Sequence, residues 1–320
     1  MDHTILLTAP YIIPVFERYR YLFDQAGIEV IVEDVEERLD EKALLKYAGK
    51  IDGTVCGDDK YSKAVLEEFA PRLKVISKWG TGIDSIDKEA AKALGIGVYN
   101  TLKAFTDPVA DSVLEYILVF ARQGPEMNRR MKEGKWDKLL TRALYECTLG
   151  VVGVGNIGKA VLRRAKAFGM TLLGNDIVEI DQDFFSEVKV EMTSLENLIS
   201  RSDFISLNCD LNSTSLHLIN REMLSYFKSG SILINTSRGP VVDEAALIEA
   251  LQSGVLAGAA LDVFEEEPLP QNSPLLKMEN VMLAPHNANS SPAAWEHVHL
   301  NTIRNVFIGL GVDFQLDKSA

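Results

Sequence analysis

Six residues, Gly153-Val154-Gly155-Asn156-Ile157-Gly158, carry the spacing Gly-x-Gly-x-x-Gly. An apolar run over 149–152 precedes them and a helical pattern from Ile157 follows. The glycines therefore fall in a strand-to-helix turn, the setting in which this spacing binds a dinucleotide. Gly153 allows the tight turn, Gly155 lets the backbone approach a pyrophosphate, and Gly158 allows close helix–strand contact. Asn156 and Ile157 open the helix whose N–H groups would face that pyrophosphate. Asp176 stands at the end of the next expected strand, where a carboxylate accepts from the adenosine ribose hydroxyls and repels a 2′-phosphate. Ile177-Val178-Glu179 follow it without an Arg, so NAD is expected rather than NADP.

Three more segments carry titratable side chains just after apolar runs. They are Ile234-Asn235-Thr236-Ser237-Arg238-Gly239, Leu261-Asp262-Val263-Phe264-Glu265-Glu266-Glu267-Pro268 and Leu283-Ala284-Pro285-His286. Ligands of open α/β sheets sit at the carboxyl ends of strands, so all three segments are expected to face the cofactor side. Taken singly, Arg238 reads as a surface ion-pair residue, Glu267 as part of a solvated acidic turn and His286 as a loop histidine.

These residues need a scaffold, and the hydrophobic rhythm supplies one. Strands are expected over 4–8, 28–32, 53–56, 73–77 and 97–99, with helices over 15–26, 41–48, 62–69 and 86–94 between them. Such alternation predicts a parallel sheet covered on both faces. After a long helix over 106–123 the pattern restarts at 148–153. Strands then follow over 171–173, 204–207, 231–234, 257–261 and 281–283, with helices over 157–168 and 244–253. That makes a second doubly wound unit of about six strands.

A chain of 320 residues suits two domains. An apolar content of 47% with 25% charged residues excludes a disordered or collagen-like chain. Acidic residues outnumber basic ones 46 to 33, and a net charge of -13 argues against nucleic acid or anionic membrane as a partner. The clusters Arg129-Arg130-Met131-Lys132 and Arg163-Arg164-Ala165-Lys166 read as solvated helical faces. Cys56, Cys147 and Cys209 lie far apart without a Cys-x-x-Cys, which fits a reducing cytoplasm and no zinc site. The apolar run over 4–15 is broken by Pro10 and Pro14 and lacks a basic leader, so neither signal peptide nor membrane span is expected. His297 and His299 sit two apart on an expected helix and point to different faces, so no metal site is expected there. Trp79, Trp136 and Trp295 read as packing residues, with Trp295 a candidate border of the substrate pocket.

On these motifs the chain resembles the D-isomer-specific 2-hydroxyacid dehydrogenase family, its phosphoglycerate dehydrogenase branch above all. The likeness runs from Lys78-Trp79-Gly80-Thr81-Gly82-Ile83-Asp84 to Trp295. Arg238 matches the Arg of an Asn-x-x-Arg-Gly motif, Glu267 the Glu of an Asp-x-x-x-x-Glu-Pro motif, and His286 the His of a Pro-His motif. The resemblance implies that these three act together. A base with pKa near 7 suits the proton of a 2-hydroxy acid's hydroxyl, and His is the natural candidate. A carboxylate beside it fixes its orientation, and an Arg can hold the substrate carboxylate and polarise a 2-oxo oxygen. The resemblance further implies cofactor contacts from Thr236 and Asp262, and substrate contacts from Lys78, Gly80, Thr81 and Gly82.

The fold it implies is α/β with two doubly wound parallel-sheet domains. A Rossmann NAD-binding domain over 103–291 is inserted into a flavodoxin-like substrate domain made of 1–102 and 292–320, with the active site in the cleft and a homodimer as the assembly. The expected substrate pair is 3-phosphoglycerate and 3-phosphohydroxypyruvate, with hydroxypyruvate, glyoxylate or another small 2-oxo acid as the alternative. An NAD-sensing corepressor-like scaffold is the reading of another class. No C-terminal regulatory domain is expected in this length. Three positions depart from the family pattern: Lys78 stands for Arg, Asn208 for the His of a His-x-Pro, and Phe105 for Asn. Lys78 would still suit a phosphate as a point charge.

Overall fold

The computed structural model describes residues 3–315. The expected domain ends at 1–2 and 316–320 lie outside the described residues. The chain divides into two compact units, one running up to Phe105 and resuming at Ser291, the other spanning Thr106–Ser290.

The first unit is built on five parallel strands, β1 (His3–Leu7), β2 (Ile28–Val32), β3 (Gly53–Cys56), β4 (Val75–Lys78) and β5 (Gly97–Tyr99). They lie in the order β2-β1-β3-β4-β5, the flavodoxin-like arrangement, which reverses direction of winding between β1 and β3. Every residue of β3 and β4 is buried, as expected of strands covered on both faces. The helix Pro292–Leu310 brings the chain back to cover them. Ser77 Oγ donates to the Thr302 carbonyl at 2.8 Å. Gly309 lies so close to β4 that a Cβ there would sit 2.3 Å from Val75 Cγ2. The helix expected over 15–26 is instead a 3-10 turn, Ile13–Arg18, followed by a helix, Arg20–Gln25. The break falls at Tyr19, whose ring is buried 5.9 Å from that of His299, so tertiary packing overrides the local periodicity.

The second unit carries seven parallel strands: β6 (Thr148–Val152), β7 (Thr171–Asn175), β8 (Glu191–Met192), β9 (Phe204–Leu207), β10 (Ile232–Asn235), β11 (Gly258–Leu261) and β12 (Val281–Leu283). Their order is β12-β11-β10-β9-β6-β7-β8, so winding reverses between β6 and β9. The expectation of about six strands misses β8. That strand is two residues long at the sheet edge, with Glu191 exposed, and carries no apolar run. The helices Thr106–Arg122 and Asn156–Ala167 pack together through Val113, Leu114, Ile117, Val161 and Ala165. Trp136 is 84% exposed, so it does not pack within the chain as expected. No described helix is long and apolar enough to cross a membrane.

Candidate active site

Register sets the site. Asn235 of β10 pairs with Leu261 of β11, and Leu261 with Leu283 of β12, so the three strands end level. Arg238, Asp262 and His286 follow those ends within three residues. Neighbouring strands lie about 4.8 Å apart, which places the three segments side by side.

His286 and Glu267 are in contact: His286 Nδ1 lies 3.0 Å from Glu267 Oε2, with both side chains partly buried. An ionised carboxylate only accepts, so Nδ1 carries the proton of the neutral ring and Nε2 is the nitrogen able to take up another. Glu267 is held in turn by the Phe264 amide, which donates to Oε1 at 3.0 Å. His286 has φ +50, a left-handed conformation that costs a non-glycine residue about 1–3 kcal/mol. Asp262 keeps the loop there. Its carboxylate, 1% exposed, accepts from the amides of Asn287 at 2.8 Å and Ala288 at 3.0 Å, and its carbonyl accepts from His286 N at 2.8 Å. Burial pushes the Asp262 carboxyl up, and the two amides pull it back. The residue expected to touch the cofactor thus also positions His286, a long-range role that no spacing rule reveals.

Arg238 stands in a loop fixed by Asn235, whose Oδ1 accepts from Ser237 N and Oγ and whose Nδ2 donates to the Arg238 carbonyl at 2.9 Å. Gly239 presses this loop onto the next one. A Cβ at Gly239 would lie 1.9 Å from the carbonyl carbon and oxygen of Phe264 and 2.4 Å from Glu265 N. Only glycine permits that approach, and it brings the Arg238 segment against the backbone that leads to Glu267.

The Gly-rich turn sits at the reversal between β6 and β9, where ligands of such sheets bind. Gly153 has φ +87, and a Cβ there would strike Cys209 N at 2.6 Å; one at Gly158 would strike the Gly153 carbonyl oxygen at 2.0 Å. Around a Cβ at Gly155 nothing lies within 4 Å. Gly155 caps the helix without a side-chain hydrogen bond, so the first-turn amides of Asn156 and Ile157 open onto that space. Asp176 lies beside it, Oδ2 accepting from Val154 N at 2.6 Å and Oδ1 from Val178 N at 2.9 Å. Two buried oxygens at the neighbouring strand ends, Asn208 Oδ1 and Thr236 Oγ1, have no hydrogen-bond partner among the described residues. An open cradle, uncapped amides and orphaned acceptors fit a dinucleotide along this edge.

In the first unit, Gly80, Thr81 and Gly82 follow β4. Thr101 N donates to the Gly80 carbonyl at 2.8 Å, and Thr81 Oγ1 donates to the Thr101 carbonyl at 3.1 Å. Among the described residues no backbone carbonyl accepts from the amides of Thr81 or Gly82, which suits a bound carboxylate. Lys78, expected among the substrate contacts, has a side chain 5% exposed, and its Nζ lies 2.9 Å from Asp58 Oδ1, so its charge already meets a carboxylate within the chain. No group of three or more potential metal ligands occurs among the described residues.

Known proteins resemble this chain in sequence and in fold. The model of the D-isomer specific 2-hydroxyacid dehydrogenase NAD binding domain matches residues 114–288. A glyoxylate reductase from Korarchaeum cryptofilum is 45% identical over 234 residues, covering 71% of this chain and 70% of that protein. A D-3-phosphoglycerate dehydrogenase from Methanocaldococcus jannaschii is 39% identical over 285 residues, covering 88% of this chain and 53% of that longer protein. Among solved structures, a D-lactate dehydrogenase from Aquifex aeolicus complexed with NAD and lactic acid superposes with a TM-score of 0.85 at 30% identity, covering 96% of this chain and 95% of the other.

Proposed function

The chain belongs to the D-isomer specific 2-hydroxyacid dehydrogenase family, and on that premise we propose that Arg238, Glu267 and His286 act together on one substrate. It is an NAD-dependent D-2-hydroxyacid dehydrogenase. The observation that carries the assignment of roles is the His286–Glu267 contact beside the Arg238 loop. NAD supplies, when bound, the acceptor for the hydride that leaves C2, and NADH the donor in the reverse direction. His286 Nε2 takes the hydroxyl proton during oxidation and returns it during reduction. Glu267 stabilises the imidazolium so formed. Arg238 is the proposed group that polarises the 2-oxo oxygen, and the amides of Gly80, Thr81 and Gly82 are proposed contacts of the substrate carboxylate. Gly153, Gly155, Asn156, Ile157, Gly158, Asp176 and Thr236 are the proposed NAD contacts, and the Asp262 carboxylate keeps its amide partners while serving the nicotinamide side.

The substrate is a D-2-hydroxy acid or its 2-oxo partner, with the 3-phosphoglycerate, hydroxypyruvate and glyoxylate pairs as candidates. Purified protein is expected to oxidise NADH in the presence of at least one of glyoxylate, hydroxypyruvate, pyruvate or 3-phosphohydroxypyruvate. NADPH is expected to serve poorly, because Asp176 meets the 2′-phosphate. Absence of NADH oxidation with every acid, with NADH binding retained, would overturn the reading.

The proposed assembly is a homodimer. Met131, Trp136, Leu140 and Tyr145 form a run of exposed large apolar side chains in the second unit, Leu140 being 98% exposed, and a second copy is the proposed cover. Light scattering is expected to give twice the chain mass, and Leu140→Asp a single chain; a single-chain mass for the unaltered protein sinks this assembly.

A further inference from the structure

The carboxyl edge of the five-stranded sheet sets an ion pair beside a cluster of rings. Lys78 ends β4 and pairs in register with Cys56 of β3, so Asp58 follows β3 alongside it. Asp59, fully buried, accepts from Thr8 Oγ1 at 2.7 Å, Leu39 N at 2.6 Å and Gly57 N at 3.0 Å. The Lys78 charge acts on Asp59 as well, offsetting the burial that pushes its carboxyl up. One ammonium is thus shared between two carboxylates. A phosphate brought to this place meets acid groups whose counter-charge is already committed.

The rings flank the loop that follows. Tyr11, beyond β1, lies 4.8 Å from Trp79 and 5.3 Å from Trp295 between ring centroids. Trp79 lies 5.6 Å from Phe105 and 5.7 Å from Trp295. A Cβ at Gly80 would sit 3.6 Å from Phe105 Cε2, so the cluster abuts the loop itself. Trp79 Nε1 donates to His299 Nδ1 at 2.9 Å, which locks the indole. Burial pushes His299 down to about 4, so it is neutral at pH 7 and adds no positive charge. Arg18, stacked 5.3 Å over the Tyr19 ring, is paired with Glu296 at 2.9 Å.

Resting on the reading in which Gly80, Thr81 and Gly82 hold the substrate carboxylate, we propose that this chain selects 2-oxo acids with an uncharged substituent, received by the partly exposed rings of Tyr11 and Trp295 with the buried Trp79 and Phe105 behind them, and discriminates against phosphorylated ones. This departs from the 3-phosphoglycerate pair that the resemblance implies. An aromatic wall gains from apolar contact, and its polar tips, the Tyr11 hydroxyl and the Trp295 indole N–H, are too few to replace the hydration of a dianion.

The test is an NADH-oxidation series with glyoxylate, pyruvate, hydroxypyruvate, phenylpyruvate and 3-phosphohydroxypyruvate. The phosphorylated acid is expected to show kcat/KM at least about 100-fold below the best uncharged one, because like-charge contact is strongly selective. Asp58→Asn releases Lys78 from its partner and is expected to raise the phosphorylated-to-uncharged ratio about tenfold. Trp295→Ala is expected to lower kcat/KM for phenylpyruvate about tenfold more than for glyoxylate, which has no substituent to place. An equal or higher kcat/KM for 3-phosphohydroxypyruvate in the unaltered protein overturns the proposal, and a uniform loss across all acids in Trp295→Ala removes that residue from it. No turnover with any acid overturns the dehydrogenase reading beneath it, a pattern distinct from the other two.

Discussion

Replacing His286 by Gln is expected to lower kcat by about 10²–10⁴-fold, the range over which a positioned proton acceptor acts. Glutamine can still donate toward Glu267, so the loop keeps much of its packing, but it has no nitrogen that takes up the hydroxyl proton at neutral pH. The Gly-rich turn lies at the β6–β9 reversal, away from the β12 end, so NADH affinity measured by fluorescence quenching is expected to change little. That split separates chemistry from cofactor binding. Turnover near that of the unaltered protein would remove His286 from the mechanism.

The second large effect is expected at a residue with no functional group. In Gly239→Ala the new methyl would stand 1.9 Å from the Phe264 carbonyl, against backbone that has no rotamer to change. One loop must give way. Overpacking of this kind costs about 1–3 kcal/mol of stability. Displacing either loop by about 1 Å separates Arg238 from the Glu267 segment, and misplacement on that scale costs about 10²-fold in rate. Urea unfolding and kcat on the same preparation check both figures. A stable variant with undiminished kcat would show that the close approach of the loops does not matter for activity.

Much of this arrangement was legible before the structure, and the reasons are local. Gly153, Gly155 and Gly158 declare themselves because a turn, an approach and a contact each forbid a side chain at a fixed interval. Arg238 and His286 stand out because each closely follows an apolar run that ends a strand, whereas Glu267 is singled out of Glu265-Glu266-Glu267 by the resemblance alone. What was not legible depends on groups far apart in the chain. The partner of Lys78 is 20 residues upstream, just beyond the end of β3, and it sets a carboxylate against a cation that the sequence shows alone. The clamp of Asp262 on the Asn287 and Ala288 amides joins two strand ends that carry no common motif. Trp136 has the type of a core residue but lies outside the core, since a tryptophan reports affinity for apolar surface without saying which molecule provides it.

The helix Pro292–Leu310 has a bearing on how the protein is made. Its Thr302 carbonyl meets Ser77 across 225 positions of sequence, and its Gly309 lies against Val75. On the ribosome the first 105 residues emerge early, yet one face of β3 and β4 stays uncovered until the last helix appears. The stretch from Thr106 to Ser290 has by then been fully released and can fold as a unit while the earlier segment waits. The unit that this sequence begins is therefore completed only after Thr106–Ser290 has been made. A lesion near the carboxyl terminus is, in three dimensions, a lesion in the core of the domain that was synthesised first.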